Sequence, residues 1–65
     1  MMYTVKVIGG KFQQVCAQSA ESAAKRAAGG KRSYNVWCEG NGIYVVTKRA
    51  RTGGELVVAR VAVYK

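Results

Sequence analysis

The stretch SAESAAKRAAGG, residues 19–30, is the clearest structural element of the sequence. Its alanines recur at offsets of 0, 3, 4, 7 and 8 from Ala20, which places them on one stripe of an α-helix. Ser19 suits the N-cap position, and Gly29 suits the left-handed stop. A helix of about ten residues is marginal by itself in water, so we expect its alanine stripe to pack against a sheet.

Glycine-containing turns divide the rest of the chain into strands. Gly9-Gly10 and Asn41-Gly42 are typical of two-residue hairpin turns, because both positions accept a positive φ. They predict a hairpin on each side of the helix, followed by a last strand over residues 55–64. The sequence therefore predicts one α+β domain, residues 1–65. It should hold a small antiparallel sheet in the order β-β-α-β-β-β, with one Ala-rich helix packed on one face.

The registers implied by two-residue turns assign each strand residue to a face of the sheet. Both cysteines, Cys16 and Cys38, fall on the helix side, where we expect reduced and inaccessible thiols. The last strand should turn four apolar residues to the helix, namely Val57, Ala59, Val61 and Val63. The uncovered face should then mix cations with aromatic and aliphatic side chains: Lys6, Trp37, Tyr44, Val46, Lys48, Arg60 and Tyr64.

Composition narrows the classes of function. Lys and Arg number 11 against 3 acidic residues, with no His, which gives a net charge of +8. Without a histidine base or a clustered carboxylate pair we expect no enzyme, no small-molecule substrate and no cofactor. Two cysteines without histidine cannot complete a structural zinc site, so no metal is expected. With no long apolar run and no visible signal peptide, we expect a cytoplasmic protein that does not bind membranes.

The excess of cations predicts a polyanionic partner. Basic residues cluster in two segments, and the phosphate backbone of DNA or RNA would bind there with release of counterions. Aromatic residues beside a cation on the uncovered face suit base stacking or a protein interface. A merely solvated basic surface is the plainer alternative. The candidate binding residues are Lys25, Arg26, Lys31, Arg32, Trp37, Tyr44, Lys48, Arg49, Arg51 and Arg60.

A resemblance to a known family rests on two segments and on the order of the elements. The segments are residues 19–27 on the helix and residues 41–44 at a hairpin. The chain resembles small phage anti-CRISPR proteins that inhibit type I CRISPR surveillance complexes. The resemblance implies a non-enzymatic inhibitor that binds the crRNA-guided complex and interferes with recognition of target DNA. Its basic residues would also contact DNA. Residues 48–54 depart from that group's pattern. A stand-alone DNA- or RNA-binding protein is the alternative, and an assembly subunit of a larger particle is a third interpretation.

Overall fold

The computed structural model describes residues 1–64. One short helix packs against one face of a five-stranded antiparallel sheet, in which the strand order is β2-β1-β5-β4-β3. This confirms the α+β class, and the element order is consistent with the predicted one. The elements are β1 (Met2–Val7), β2 (Phe12–Cys16), α1 (Ala20–Ala27), β3 (Asn35–Gly40), β4 (Ile43–Arg49) and β5 (Glu55–Tyr64).

Helix α1 is capped at both ends by the residues that the sequence suggests. The Ser19 hydroxyl accepts a hydrogen bond from the Ser22 backbone N–H at 3.2 Å. At the other end the Ala28 N–H donates to the Ala24 carbonyl, and Gly29 adopts a φ of +125°. The first turn carries Glu21 and the last turn carries cations, so both complement the helix dipole.

The core lies between α1 and the sheet. Ala23 and Ala24 are completely buried, so the alanine stripe faces inward as predicted. Small side chains let the helix axis approach the sheet closely, and the sheet supplies the larger apolar groups. The buried cluster consists of Tyr3, Val5, Ala17, Ala23, Ala24, Val46 and Val61.

The first hairpin is one residue away from its predicted register. The Gly10 N–H donates to the Val7 carbonyl at 2.7 Å, so the turn is wider than Gly9-Gly10 alone. Lys6 consequently pairs with Phe12, and Met2 with Cys16. A slip of one residue exchanges the two faces of a strand. The ring of Phe12 and the thiol of Cys16 therefore lie on the face away from α1.

The second hairpin forms the predicted turn but contains a bulge beside it. Asn41 and Gly42 have positive φ values of +53° and +76°, as a two-residue turn demands. Gly40 pairs with Ile43 as expected, yet the next pair moves by one residue, which leaves Glu39 as an extra residue. The bulge shifts β4 by one residue against β3, so the residues of β4 exchange faces, whereas Trp37 and Cys38 in β3 keep the predicted ones.

Several predicted facings are wrong because of the bulges in β3 and β5. Lys48, which follows Thr47 on the uncovered face and pairs with Leu56, turns away from that face. Tyr44 and Val46 pack against the core on the helix side, not on the uncovered face. In β5 the register shifts again between Ala59 and Val57, with Val58 as the extra residue. Val57 is 59% exposed and lies on the side away from α1.

The prediction of buried thiols is also wrong. Cys16 and Cys38 are both exposed. The shifted register explains Cys16. Cys38 pairs with Tyr44 and so has the helix-side orientation, but it lies on the edge strand β3 and remains accessible.

Candidate nucleic-acid interface

The topology brings the two cationic segments to one end of the molecule. β3 begins at Asn35, directly after the loop that carries Lys31 and Arg32, and Asn35 pairs with Thr47 near the end of β4. The loop over residues 28–34 and the loop over residues 50–54 are therefore neighbours. A concavity between them is lined by Ser33, Asn35, Arg49, Gly53 and Glu55. We call this region the basic end; its cations are Lys31, Arg32, Lys48, Arg49 and Arg51.

The two helix cations of the predicted site separate from each other. Lys25 Nζ donates to the Arg32 carbonyl at 3.4 Å, which joins it to the basic end. Arg26 instead lines a different hollow, together with Met1 and Cys16. The predicted helix-end cluster is thus divided between two surfaces.

A two-stranded hairpin extends from the sheet at the basic end. β3 pairs with β4 only as far as Thr47, and β1 pairs with β5 only from Val61 onward. Residues 48–56, here called the arm, therefore have neither flanking strand as a partner. Lys48 pairs with Leu56 and Arg49 with Glu55.

The tip of the arm is closed by backbone hydrogen bonds. The Ala50 N–H donates to the Gly54 carbonyl at 2.7 Å, and the Gly53 N–H donates to the Ala50 carbonyl at 3.0 Å. Gly53 has a φ of +97°, a conformation that favours glycine. Arg51 lies in this closed tip and is exposed.

The arm carries three exposed cations and one carboxylate. Within residues 1–64, no carboxylate lies within 4.0 Å of the charged groups of Lys48, Arg49 or Arg51. The ion pair that does form in this part of the chain joins Arg60 to Glu39, outside the arm. Glu55 is opposite Arg49 in the register without forming such a pair. The arm cations are therefore available to an external anion.

The sheet surface away from α1, here called the open face, holds a second group of side chains. Lys6 Nζ lies 5.2 Å from the centroid of the Phe12 ring. The Phe12 and Tyr64 rings are 5.9 Å apart, tilted by 46°. Both rings are about half exposed or more, at 61% and 48%. Sequence reasoning missed Phe12, because the predicted register turned it toward the helix.

Trp37 and Arg60 occupy the other half of the open face, as predicted. Trp37 pairs with Val45, and Val45 pairs with Arg60, so the three form one row across the strands. Arg60 Nη2 lies 3.6 Å from Glu39 Oε1. The Trp37 side chain is 48% exposed.

Tyr44, predicted as a stacking residue, does not belong to this surface. It packs on the helix side, and burial raises its pKa above the ordinary value of 10.0. The Cys38 thiol, its partner in the register, raises the pKa further, with smaller effects from Glu21 and Tyr3. Its ring is not presented to a ligand on the open face.

The described residues contain neither a candidate metal site nor a candidate membrane-spanning helix. Across residues 1–64 no group of three or more Cys, Asp or Glu side chains is arranged to hold a metal ion. In the same part of the chain, no helix is long and apolar enough to cross a membrane. Comparison with protein-family models, with curated proteins and with solved structures finds no match.

Proposed function

We propose that this chain is a non-enzymatic binding protein whose basic end contacts the phosphate backbone of a nucleic acid. The observation that supports the proposal is the meeting of two cationic segments that are separate in the sequence. Lys31 and Arg32 lie in the loop before β3, and the arm beside that loop carries Lys48, Arg49 and Arg51.

A cluster of this size has a measurable electrostatic consequence. Each duplex phosphate that a cation neutralises contributes about −0.9 to the slope of log affinity against log salt. Five cations in contact would give a slope of about −4.5. The net charge of +8 adds long-range attraction and speeds association.

Salt-dependent binding of a labelled DNA duplex tests the proposal. Arg51→Glu, in the tip of the arm, should weaken binding and reduce the slope by about 0.9. Arg26→Glu makes the same change of charge on α1, beside Met1 and Cys16 and separate from the basic end, and should leave the slope unchanged. Equal losses in the two variants would mean that net charge alone attracts the duplex, and would overturn the proposed site.

A type I CRISPR surveillance complex is a second candidate partner, for which the open face is the relevant observation. Trp37 is half exposed beside the Arg60–Glu39 pair, and Trp and Arg are the side chains that most often anchor protein interfaces. Under this proposal the chain is a phage-type inhibitor, acting in the host cytoplasm, that docks on the complex through this face and places its basic end near the target DNA.

Capture of a purified type I complex by the tagged protein tests this second candidate. Trp37→Ala should abolish capture, whereas Arg51→Ala should weaken it less, because cations alone do not select one protein partner. Failure to capture the complex, combined with tight salt-sensitive binding of free DNA, would eliminate the inhibitor proposal and leave direct nucleic-acid binding.

A further inference from the structure

We infer that the arm enters the major groove of a duplex, and that B-form DNA is therefore the class of nucleic acid bound at the basic end. This inference rests on the proposed function, since it assumes that the cations of the basic end contact phosphates. To that function it adds the groove that is entered, the form of the duplex, and contact of the arm with base edges as well as with phosphates.

The dimensions of the arm match those of the major groove. The major groove is about 12 Å wide and admits a two-stranded β-ribbon together with the side chains on its two faces. From Thr47 to Ala50 the arm advances three residues, or about 10 Å at about 3.4 Å per residue. The groove is about 8.5 Å deep, so the tip reaches the base edges.

The side chains of the arm are distributed as groove entry requires. Lys48 and Leu56 share one face of the arm, and Arg49 and Glu55 share the other. A cation on each face can meet the phosphates on each side of the groove. Arg51 at the tip would meet the base edges, where arginine commonly binds guanine.

The neighbouring loop supports the same placement. Ser33, which follows Lys31 and Arg32 in the same loop, lines the concavity together with Arg49 and Gly53. With the arm in a groove, this loop would rest on the adjoining phosphate backbone. The arm's other side, along residues 55–59 of β5, has no strand partner that would block its approach.

Other nucleic-acid forms fit the arm less well. The minor groove of B-form DNA is about 6 Å wide, too narrow for a two-stranded ribbon with its side chains. Duplex RNA has a deep, narrow major groove that side chains cannot reach. The geometry thus distinguishes B-form DNA from both.

The test compares three duplexes of one sequence by fluorescence anisotropy: unmodified DNA, DNA carrying glucosylated hydroxymethylcytosine, and RNA. The glucose occupies the major groove without changing the phosphates. We expect unmodified DNA to bind about tenfold more tightly than either of the other two duplexes. This factor corresponds to the loss of one or two good groove contacts in those duplexes. Methyl green, which occupies the major groove, should displace the protein, and netropsin, which occupies the minor groove, should not.

Two alanine variants separate the groove contact from the phosphate contact. Arg51→Ala should reduce the difference between unmodified and glucosylated DNA. Lys31→Ala should weaken binding of both DNA duplexes by the same factor and retain that difference. Both residues are exposed and lie in loops, so neither variant should disturb the core.

The outcomes are distinguishable. Equal, salt-sensitive affinity for all three duplexes would overturn groove entry and leave phosphate binding intact. Displacement of the protein by netropsin, but not by methyl green, would also overturn groove entry as proposed, because it would place the protein in the minor groove. Absence of salt-sensitive binding to every duplex would overturn the proposed function itself.

Discussion

Cys16 and Cys38 lie on the two edge strands of the sheet, β2 and β3. Both are exposed, and neither forms a disulfide. A thiol in such a position is open to solvent in the native state, whatever the stability of the core. Cys16 therefore reports directly on the register of the first hairpin, because the other register would turn it toward α1.

Both thiols should react with a polar alkylating reagent in native buffer. We expect two adducts by mass spectrometry, formed at rates close to those of the denatured chain, because no side chain has to move to admit the reagent. Protection of Cys16 in the native state would mean that the first hairpin has the other register, with this residue facing α1.

Tyr44 gives the molecule a specific response to alkaline pH. Its pKa is raised in the folded state, first by burial and then by the Cys38 thiol. Folding therefore favours the neutral phenol. The stability gained in this way is fully present below the unfolded pKa, near 10. It is lost as pH rises from there through the folded pKa.

Absorbance titration of the tyrosinates should resolve this effect. Tyr44 should ionise above the ordinary tyrosine pKa of 10.0, and Tyr44→Phe should remove that late component of the titration. The same variant should lose stability less steeply than the parent above pH 10, the ordinary tyrosine pKa. Loss of absorbance change near pH 10, the ordinary tyrosine pKa, instead of above it would contradict the helix-side position of this ring.

Helix α1 contacts the sheet through side chains that have no spare volume. Ala24 is completely buried, whereas Ser22 on the same helix is exposed. Ala24→Leu should lower the free energy of unfolding by about 1–3 kcal/mol, the usual range for overpacking a core. Ser22→Leu adds the same side chain on the outer surface and should change the stability little. Chemical denaturation measures both, and equal stability of the two variants would mean that α1 is rotated.

Local pattern was enough to predict the elements, because helices and turns are encoded by near neighbours. The alanine spacing after Ser19 and the Asn41-Gly42 turn gave α1 and the second hairpin directly. The registers were not predictable in the same way. Glu39 and Val58 each insert one residue into a strand. Gly40, with a φ of +112°, is a local signal for the first bulge, but no such residue accompanies Val58. One inserted residue is enough to exchange the two faces of the strand beyond it.

For the candidate site, the cationic residues could be predicted from the sequence, but their arrangement could not. Clusters of Lys and Arg are visible in the sequence, so the cations at residues 31–32 and 48–51 were identified. The arm was not, since it exists only because β3 stops pairing at Thr47 and β1 starts at Val61. These limits depend on contacts between distant parts of the chain. Phe12 was missed for a related reason, because its facing depends on the width of a turn.

Positive charge is unevenly distributed over the molecule, because the arm and the cationic loop lie at one end of the sheet. Glu55 is the acidic residue within the arm, opposite Arg49. Near a polyanion this carboxylate opposes binding, whereas elsewhere in the molecule it would have little effect. Its removal therefore tests the direction in which the nucleic acid approaches.

Glu55→Gln should strengthen duplex binding by roughly two- to fivefold, which corresponds to about 0.5–1 kcal/mol for an exposed charge pair. Glu21→Gln makes the same change outside the arm, in the first turn of α1, where the residue lines a hollow with Lys25 and Tyr34, and should alter the affinity less. Titration of a labelled duplex at low salt compares the two. A larger gain from Glu21→Gln would place the nucleic acid on the helix side of the molecule.

The strand order also governs how the chain reaches its native state. β1 and β5 are adjacent in the sheet, with Thr4 paired to Tyr64, although nearly the whole sequence separates them. Each hairpin can form early from neighbouring residues. The pairing of β1 with β5 requires closure of a long loop, which slows folding. The chain contains no proline, so no slow isomerisation accompanies that step. Stopped-flow refolding should show one phase, slower than the microsecond rates of helical bundles, and a further phase of tens of seconds would contradict this route.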